Sequence, residues 1–258
     1  MSLRRVTVRT AGDAAEPLRA RLLELVPDGF EERDDGGVVE LAAYVPEREV
    51  EAILAAFPGA TAEAVEDGWE DAWRTFHRPV VVQGLWLGPP WERPPDPSRT
   101  VVIDPGRAFG TGAHATTRLC IELLARIGGG GSLLDVGCGS GVLAIAAARL
   151  GFGPVVAIDD DPVAVETTRA NAAVNSVALD VRLADALRDP LPRSDVAVAN
   201  VLLEPVEAIL ARLDAGEAIT SGYLAGERPA HAGWAHVETV ELDGWAADRF
   251  RRQRRPAT

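Results

Sequence analysis

The run Leu133-Leu134-Asp135-Val136-Gly137-Cys138-Gly139-Ser140-Gly141-Val142 holds the residues whose chemistry is easiest to read from type and spacing. An apolar stretch ends in an acid, and the backbone then turns on glycine at alternate positions. Glycine serves where φ must be positive or where a ligand approaches too closely for a Cβ. For a lone glycine pair an ordinary strand-to-helix turn explains as much. The dinucleotide fingerprint is G-x-G-x-x-G, with a helix N-terminus facing a pyrophosphate. This loop reads G-x-G-x-G, and the charge of Asp135 would repel a pyrophosphate. S-adenosylmethionine carries a sulfonium and an ammonium, both of which a carboxylate favours. The loop alone therefore points to a cationic cofactor, with Asp135 facing its positive charge.

Further polar residues stand where such a ligand would need them. Asp159 follows the apolar run 155–158, and an acid at that strand tip suits hydrogen bonding to ribose hydroxyls. Asp161 with Pro162 reads instead as a helix N-cap and first turn. Asp185 can meet an adenine amino group or remain a solvated loop acid. Asn200 ends the run 195–199, placing an amide at the carboxyl end of a strand, where open α/β sheets bind ligands. A second glycine loop, Phe109-Gly110-Thr111-Gly112-Ala113-His114-Ala115-Thr116-Thr117, precedes these; Gly112 and Gly137 lie 25 residues apart. Two such loops suggest two sides of one site, the earlier one a lid.

Positioning these groups takes an ordered series of elements. The first 66 residues read βαββαβ: an alternating strand over 4–9, a helix over 14–25 and a hairpin across Asp34-Asp35-Gly36-Gly37. A helix over 46–57 opening on Pro46 and a strand over 61–65 follow. The helices are expected to turn Leu18, Leu22 and Leu25, then Val50, Ile53, Leu54 and Phe57, inward. That order makes a four-stranded sheet with both helices on one side, a ferredoxin-like α+β domain suited to recognising a partner. Residues 67–78 read as a connecting helix with Trp69, Trp73 and Phe76 on one face. From 79 to 258, strands at 80–83, 133–136, 155–158, 180–183, 195–199 and 217–221 alternate with helices, and a hairpin closes the chain between His236 and Phe250.

At 258 residues, 47% apolar and 25% charged, the chain suits one large or two modest domains. No leader pattern and no run of 18 apolar residues is present, which predicts a cytoplasmic protein without a membrane partner. Net charge is −13, and all 26 basic residues are arginine. An acidic surface repels nucleic acid and attracts a basic protein. The tail Arg251-Arg252-Gln253-Arg254-Arg255 reads as a solvated terminus. Cys120 and Cys138 read as reduced thiols. The scattered His77, His114, His231 and His236 offer no zinc spacing, so no metal is expected.

Taken together, Phe109-Gly110-Thr111-Gly112-x-His114-x-Thr116-Thr117, Asp135-x-Gly137-x-Gly139-Ser140-Gly141, Asp159-x-Asp161-Pro162, Asn200-Val201-Leu202 and the Trp69/Trp73 helix resemble the PrmA family, methyltransferases of bacterial ribosomal protein L11. The resemblance implies a class I methyltransferase domain with a mostly parallel seven-stranded sheet behind a substrate-capturing domain. It also implies methyl transfer from S-adenosylmethionine to lysine side chains and the N-terminal amine of that ribosomal protein. A related eukaryotic branch methylates lysines of an electron-transfer flavoprotein, and a small-molecule methyltransferase shares the same fold. Cofactor contacts are then expected from Phe109, Gly110, Thr111, Gly112, Thr116, Asp135, Gly137, Gly139, Gly141, Asp159, Asp185 and Asn200. Asn200 and the carbonyl of Val201 would accept hydrogen bonds from the amine, and Thr111 and His114 would shape the lid. A monomer is expected. One departure stands out: residues 225–233 leave little room for the longer helix usual in the family, so the back of the sheet should be less covered.

Overall fold

A computed structural model of the chain describes residues 3–26, 29–65, 78–104 and 112–253. The proposed connecting helix, the arginines at 254 and 255, and Phe109, Gly110 and Thr111 lie outside the described residues. The chain divides into two compact units, Met1–Phe76 and His77–Thr258.

In the first unit, β1 (Leu3–Ala11), α1 (Ala15–Leu25), β2 (Glu31–Asp35), β3 (Val38–Pro46), α2 (Glu47–Ala56) and β4 (Thr61–Ala64) follow in order. The sheet runs β2-β3-β1-β4 with every pair antiparallel. Period-two alternation sends Val39, Leu41, Ala43 and Val45 of β3, with Val6 and Val8 of β1, into one core against Leu22, Ile53 and Phe57. The hairpin turns on Gly36 and Gly37 at φ +66° and +100°, values that glycine adopts without strain. Leu25 and Leu54 differ from expectation and are exposed. Leu25 sits in the last turn of α1, and the adjacent Ile53 takes the inward position on α2, leaving Leu54 about 100° away on the flank.

The second unit opens with β5 (Val80–Val82), β6 (Leu85–Gly88) and β7 (Thr100–Val102), a small sheet in the order β5-β6-β7. Then come α3 (Ala115–Ile127), β8 (Leu133–Val136), α4 (Val142–Arg149), β9 (Val155–Asp159), α5 (Pro162–Val174), β10 (Asp180–Leu183), β11 (Ser194–Asn200), α6 (Leu203–Arg212), β12 (Ala215–Leu224), β13 (Trp234–Leu242) and β14 (Trp245–Arg252). The large sheet is seven-stranded in the order β10-β9-β8-β11-β12-β14-β13. Its first five strands are parallel, and β14 runs antiparallel to both its neighbours.

The apolar runs of β8 and β11 follow from burial on both faces, as central parallel strands require. Leu133 and Val198 face α3, α4 and α5; Leu134 and Ala197 face Val206, Ile209 and Leu210 of α6. Chain order reverses between β8 and β11, which opens a crevice at their carboxyl ends. As the short 225–233 segment predicts, no helix forms there. Its Arg228 and His231 line a cavity of about 410 Å³ together with Trp234, His236 and Phe250. No helix among the described residues is long and apolar enough to cross a membrane.

Candidate active site

At the carboxyl end of β8 the backbone turns on Gly137, Gly139 and Gly141, all at positive φ (+73°, +53° and +82°). The Gly137 and Cys138 amides donate to the Ile158 carbonyl at 2.9 and 3.0 Å, which ties the loop to β9. Asp135 is 1% exposed and lies under the loop, its Oδ2 accepting from the Ala144 amide of α4 at 3.0 Å. Its Oδ1 is buried with no hydrogen-bond partner among the described residues. Burial, with a smaller contribution from the nearby Asp159 charge, pushes this carboxyl up to about 7 against the opposing Ala144 hydrogen bond.

Asp159 ends β9 and accepts from the Gly139 amide at 2.9 Å and the Asp161 amide at 3.0 Å. Each oxygen keeps a lone pair for a further donor. Asp161 caps α5 through the Val163 amide at 2.8 Å. The Ala184 amide bonds the Asp159 carbonyl at 2.8 Å, which brings Asp185 to the same end of the sheet. There Asp185 accepts from the Leu187 amide at 2.8 Å and pairs with Arg188 at 3.3 Å.

The second glycine loop returns to the first at its described end. A Cβ on Gly112, at φ +86°, would stand 3.0 Å from Leu87 and 3.3 Å from Val142, the residue after Gly141. His114 caps α3, its Nδ1 lying 2.8 Å from Thr116 Oγ1 and accepting from the Thr116 amide at 3.4 Å. Its ring meets Trp245 edge-on at 5.0 Å. Burial holds the imidazole below its ordinary range, with Asp243 opposing, so at neutral pH the cap is a neutral acceptor.

Asn200 closes β11, in register with Ser221, and no hydrogen bond to its carboxamide is found among the described residues. Val201 follows, its amide bound to the Ser221 carbonyl at 3.1 Å. Two glycines confine it. A Cβ on Gly137 would lie 2.8 Å from Val201 Cγ1, and one on Gly222 would lie 2.1 Å from the Val201 carbonyl oxygen. The loop, Asp159 and Asn200 thus stand at the carboxyl ends of the neighbouring strands β8, β9 and β11, and Val201 spans from the loop to β12.

The family model for ribosomal protein L11 methyltransferase (PrmA) matches residues 30–253. The chain belongs to this family. It is similar to ribosomal protein L11 methyltransferases from Dechloromonas aromatica and Laribacter hongkongensis, at 42% identity to each, over 64% and 72% of the chain but only 59% and 61% of theirs. A Burkholderia multivorans relative of the same name is 33% identical over 95% of the chain and 94% of its own length. The crystal structure of a ribosomal protein L11 methylase from Lactobacillus delbrueckii subsp. bulgaricus superposes with a TM-score of 0.60 at 28% identity, covering 69% of the chain and all of that protein. The fold is that of a class I methyltransferase.

The residues fit S-adenosylmethionine. A buried carboxylate oxygen with no donor among the described residues, a loop packed too closely at Gly137 and Gly141 for a Cβ and an acid at the β9 tip suit a nucleoside carrying positive charge. The PrmA-family motifs did not disclose Thr168, Asn171 and Asn175, which hold the loop and β7 from α5, nor Gly222. Their signal was present in part: polar residues spaced i, i+3 and i+7 continue the inward stripe of α5 that Ala164 and Val165 begin. The Gly222 contact joins two strands and has no local signature.

The raised carboxyl of Asp135 gives a pH test. A folded-state pKa above the unfolded value means that stability from this group is present at low pH and lost as pH rises toward about 7. Melting the ligand-free protein should show Asp135→Asn gaining on wild type between pH 5 and pH 8; a constant difference would mean the carboxylate is not penalised.

Proposed function

We propose that this chain transfers methyl groups from S-adenosylmethionine to amines of ribosomal protein L11, on lysine side chains, at the N-terminus or both, in the cytoplasm. The observation that carries the reading is the Asn200 carboxamide at the carboxyl end of β11, without a hydrogen-bond partner among the described residues, beside a Val201 that packs on Gly137 of the glycine loop. S-adenosylmethionine supplies a methyl group already activated by its sulfonium. The protein's part is to align a neutral amine and to exclude water. A free lysine amine has a pKa of about 10.4, and burial lowers it by disfavouring the ammonium. The Asn200 oxygen accepts a hydrogen bond from the amine and points its lone pair at the methyl group. The Val201 carbonyl, which lies close against Gly222, accepts a second hydrogen bond from the amine. Thr111 and His114 would shape the lid, and the neutral His114 ring keeps α3 capped.

Several features support a basic protein as substrate. The relatives are named for ribosomal protein L11, net charge is −13, and the ferredoxin-like unit carries no glycine loop or nucleophile and suits recognition. Asn200→Ala should lower kcat on L11 by about 100-fold, as loss of one aligned hydrogen bond does, with S-adenosylhomocysteine affinity unchanged in calorimetry. Unchanged turnover would remove Asn200 from the mechanism. Mass spectrometry of L11 from a strain lacking the gene tests the substrate: methylated L11 in that strain would send the search to another protein.

A further inference from the structure

Helix α5 turns a polar stripe toward the protein. Thr168, Asn171 and Asn175 share one helical face and are 0, 3 and 4% exposed. Buried polar groups cost free energy unless paired, and each of these pairs with backbone outside its own helix. Thr168 Oγ1 donates to the Gly139 carbonyl at 2.9 Å. Asn171 Nδ2 donates to the Ser140 carbonyl at 2.9 Å, and its Oδ1 accepts from the Asp104 amide at 3.3 Å. Asn175 takes Val102 by both groups, accepting from the amide at 2.8 Å and donating to the carbonyl at 2.6 Å. That pair replaces the ladder bonds a neighbouring strand would supply.

Along the helix the stripe therefore holds first the glycine loop, then loop and β7 end together, then β7 alone. Of the three residues, Asn171 is the one that touches both. Peptide units are rigid planes, so fixing the Gly139 and Ser140 carbonyls toward α5 also fixes the amides that follow them. Glycine-rich backbone has wide φ/ψ freedom, and whatever freedom the loop keeps must be given up when a ligand binds. A side chain that removes this freedom beforehand raises affinity without touching the ligand.

We propose that Asn171 is a positioning residue for the cofactor, setting the glycine loop against the backbone at Asp104, whereas Asn175 only fastens β7 to α5. The inference rests on residues 137–141 being where the cofactor binds. Two isosteric variants separate the roles. Asn171→Asp still accepts from Asp104 but cannot donate to Ser140. Asn175→Asp still accepts from Val102 but cannot donate to the Val102 and Asn171 carbonyls. Both put a carboxylate at a buried position, Asn171 within α5 and Asn175 at its C-cap, so both should lower Tm.

Titration of the full-length protein with S-adenosylhomocysteine should raise Kd about tenfold for Asn171→Asp, the equivalent of 1.4 kcal/mol, and leave Asn175→Asp within about twofold of wild type. If Asn171→Asp does not fold, Asn171→Ser, uncharged and too short for both partners, is compared with Asn175→Ser for the same split. Equal rises in Kd, or none in the Asn171 variants, would make the stripe merely structural and overturn the proposal. Failure of wild type itself to bind S-adenosylhomocysteine would overturn the cofactor reading beneath it.

Discussion

Gly222→Ala should lower kcat by about 100-fold, the loss that a displacement of about 1 Å can cause in an aligned site, while S-adenosylhomocysteine affinity stays near wild type. At φ +105° the new Cβ would stand 2.1 Å from the Val201 carbonyl oxygen and 2.6 Å from its carbon. Both are backbone atoms, so relief requires moving the 200–202 turn rather than rotating a side chain. The left-handed backbone adds about 1–2 kcal/mol of strain and the overlap about 1–3 kcal/mol. At about 2–4 °C per kcal/mol for a chain of this size, Tm should fall by several degrees. Activity assays at a temperature where the variant is folded separate the two effects. A folded variant with wild-type kcat would show that the turn carrying Asn200 is not held by this contact.

Asp135→Ala should abolish measurable cofactor binding in calorimetry, and the graded variant Asp135→Asn gives the reason. Asparagine keeps an acceptor for the Ala144 amide, now met at 3.0 Å by Asp135 Oδ2, and removes only the charge. If that charge serves the cofactor's cation, Asp135→Asn weakens S-adenosylmethionine by about tenfold, or about 1.4 kcal/mol. It weakens S-adenosylhomocysteine, which lacks the sulfonium, by less. Equal weakening of both ligands would assign Asp135 to loop geometry alone, and no weakening would remove it from the site. The carboxylate lies under the loop at 1% exposure, so its attraction acts across the loop in a poorly screened interior.

Much of this arrangement is local and was therefore legible in the sequence. Strand, acid, glycines and helix start are consecutive from Leu133 to Val142, and the Asp-Pro cap, the Gly-Gly hairpin and the amide after a strand are equally short-range. What stayed hidden depends on pairing at a distance. The Leu85–Gly88 strand has few residues and pairs parallel to Thr100–Val102 across a proline-rich loop, so no periodicity marks it. The asparagines of α5 reach back 67 and 73 residues to the chain at Asp104 and Val102. Leu25 and Leu54 passed as core because an apolar stripe is read by spacing, whereas the burial of its edges depends on what packs beside them. The burial of Asp135 and its hydrogen bond from the Ala144 amide of α4 are likewise not revealed by residue types.

Val201 touches Gly137 on one side and Gly222 on the other, so under the proposed function the gap between methyl donor and methyl acceptor would be gauged by a single residue packed on bare backbone. Reacting atoms must meet at about 3–3.5 Å, a tolerance that a flexible side chain cannot hold but a turn wedged between two Cα atoms can. Under the same reading, altering the first unit would change which protein presents the amine, while the reach of the transfer would be carried over unchanged.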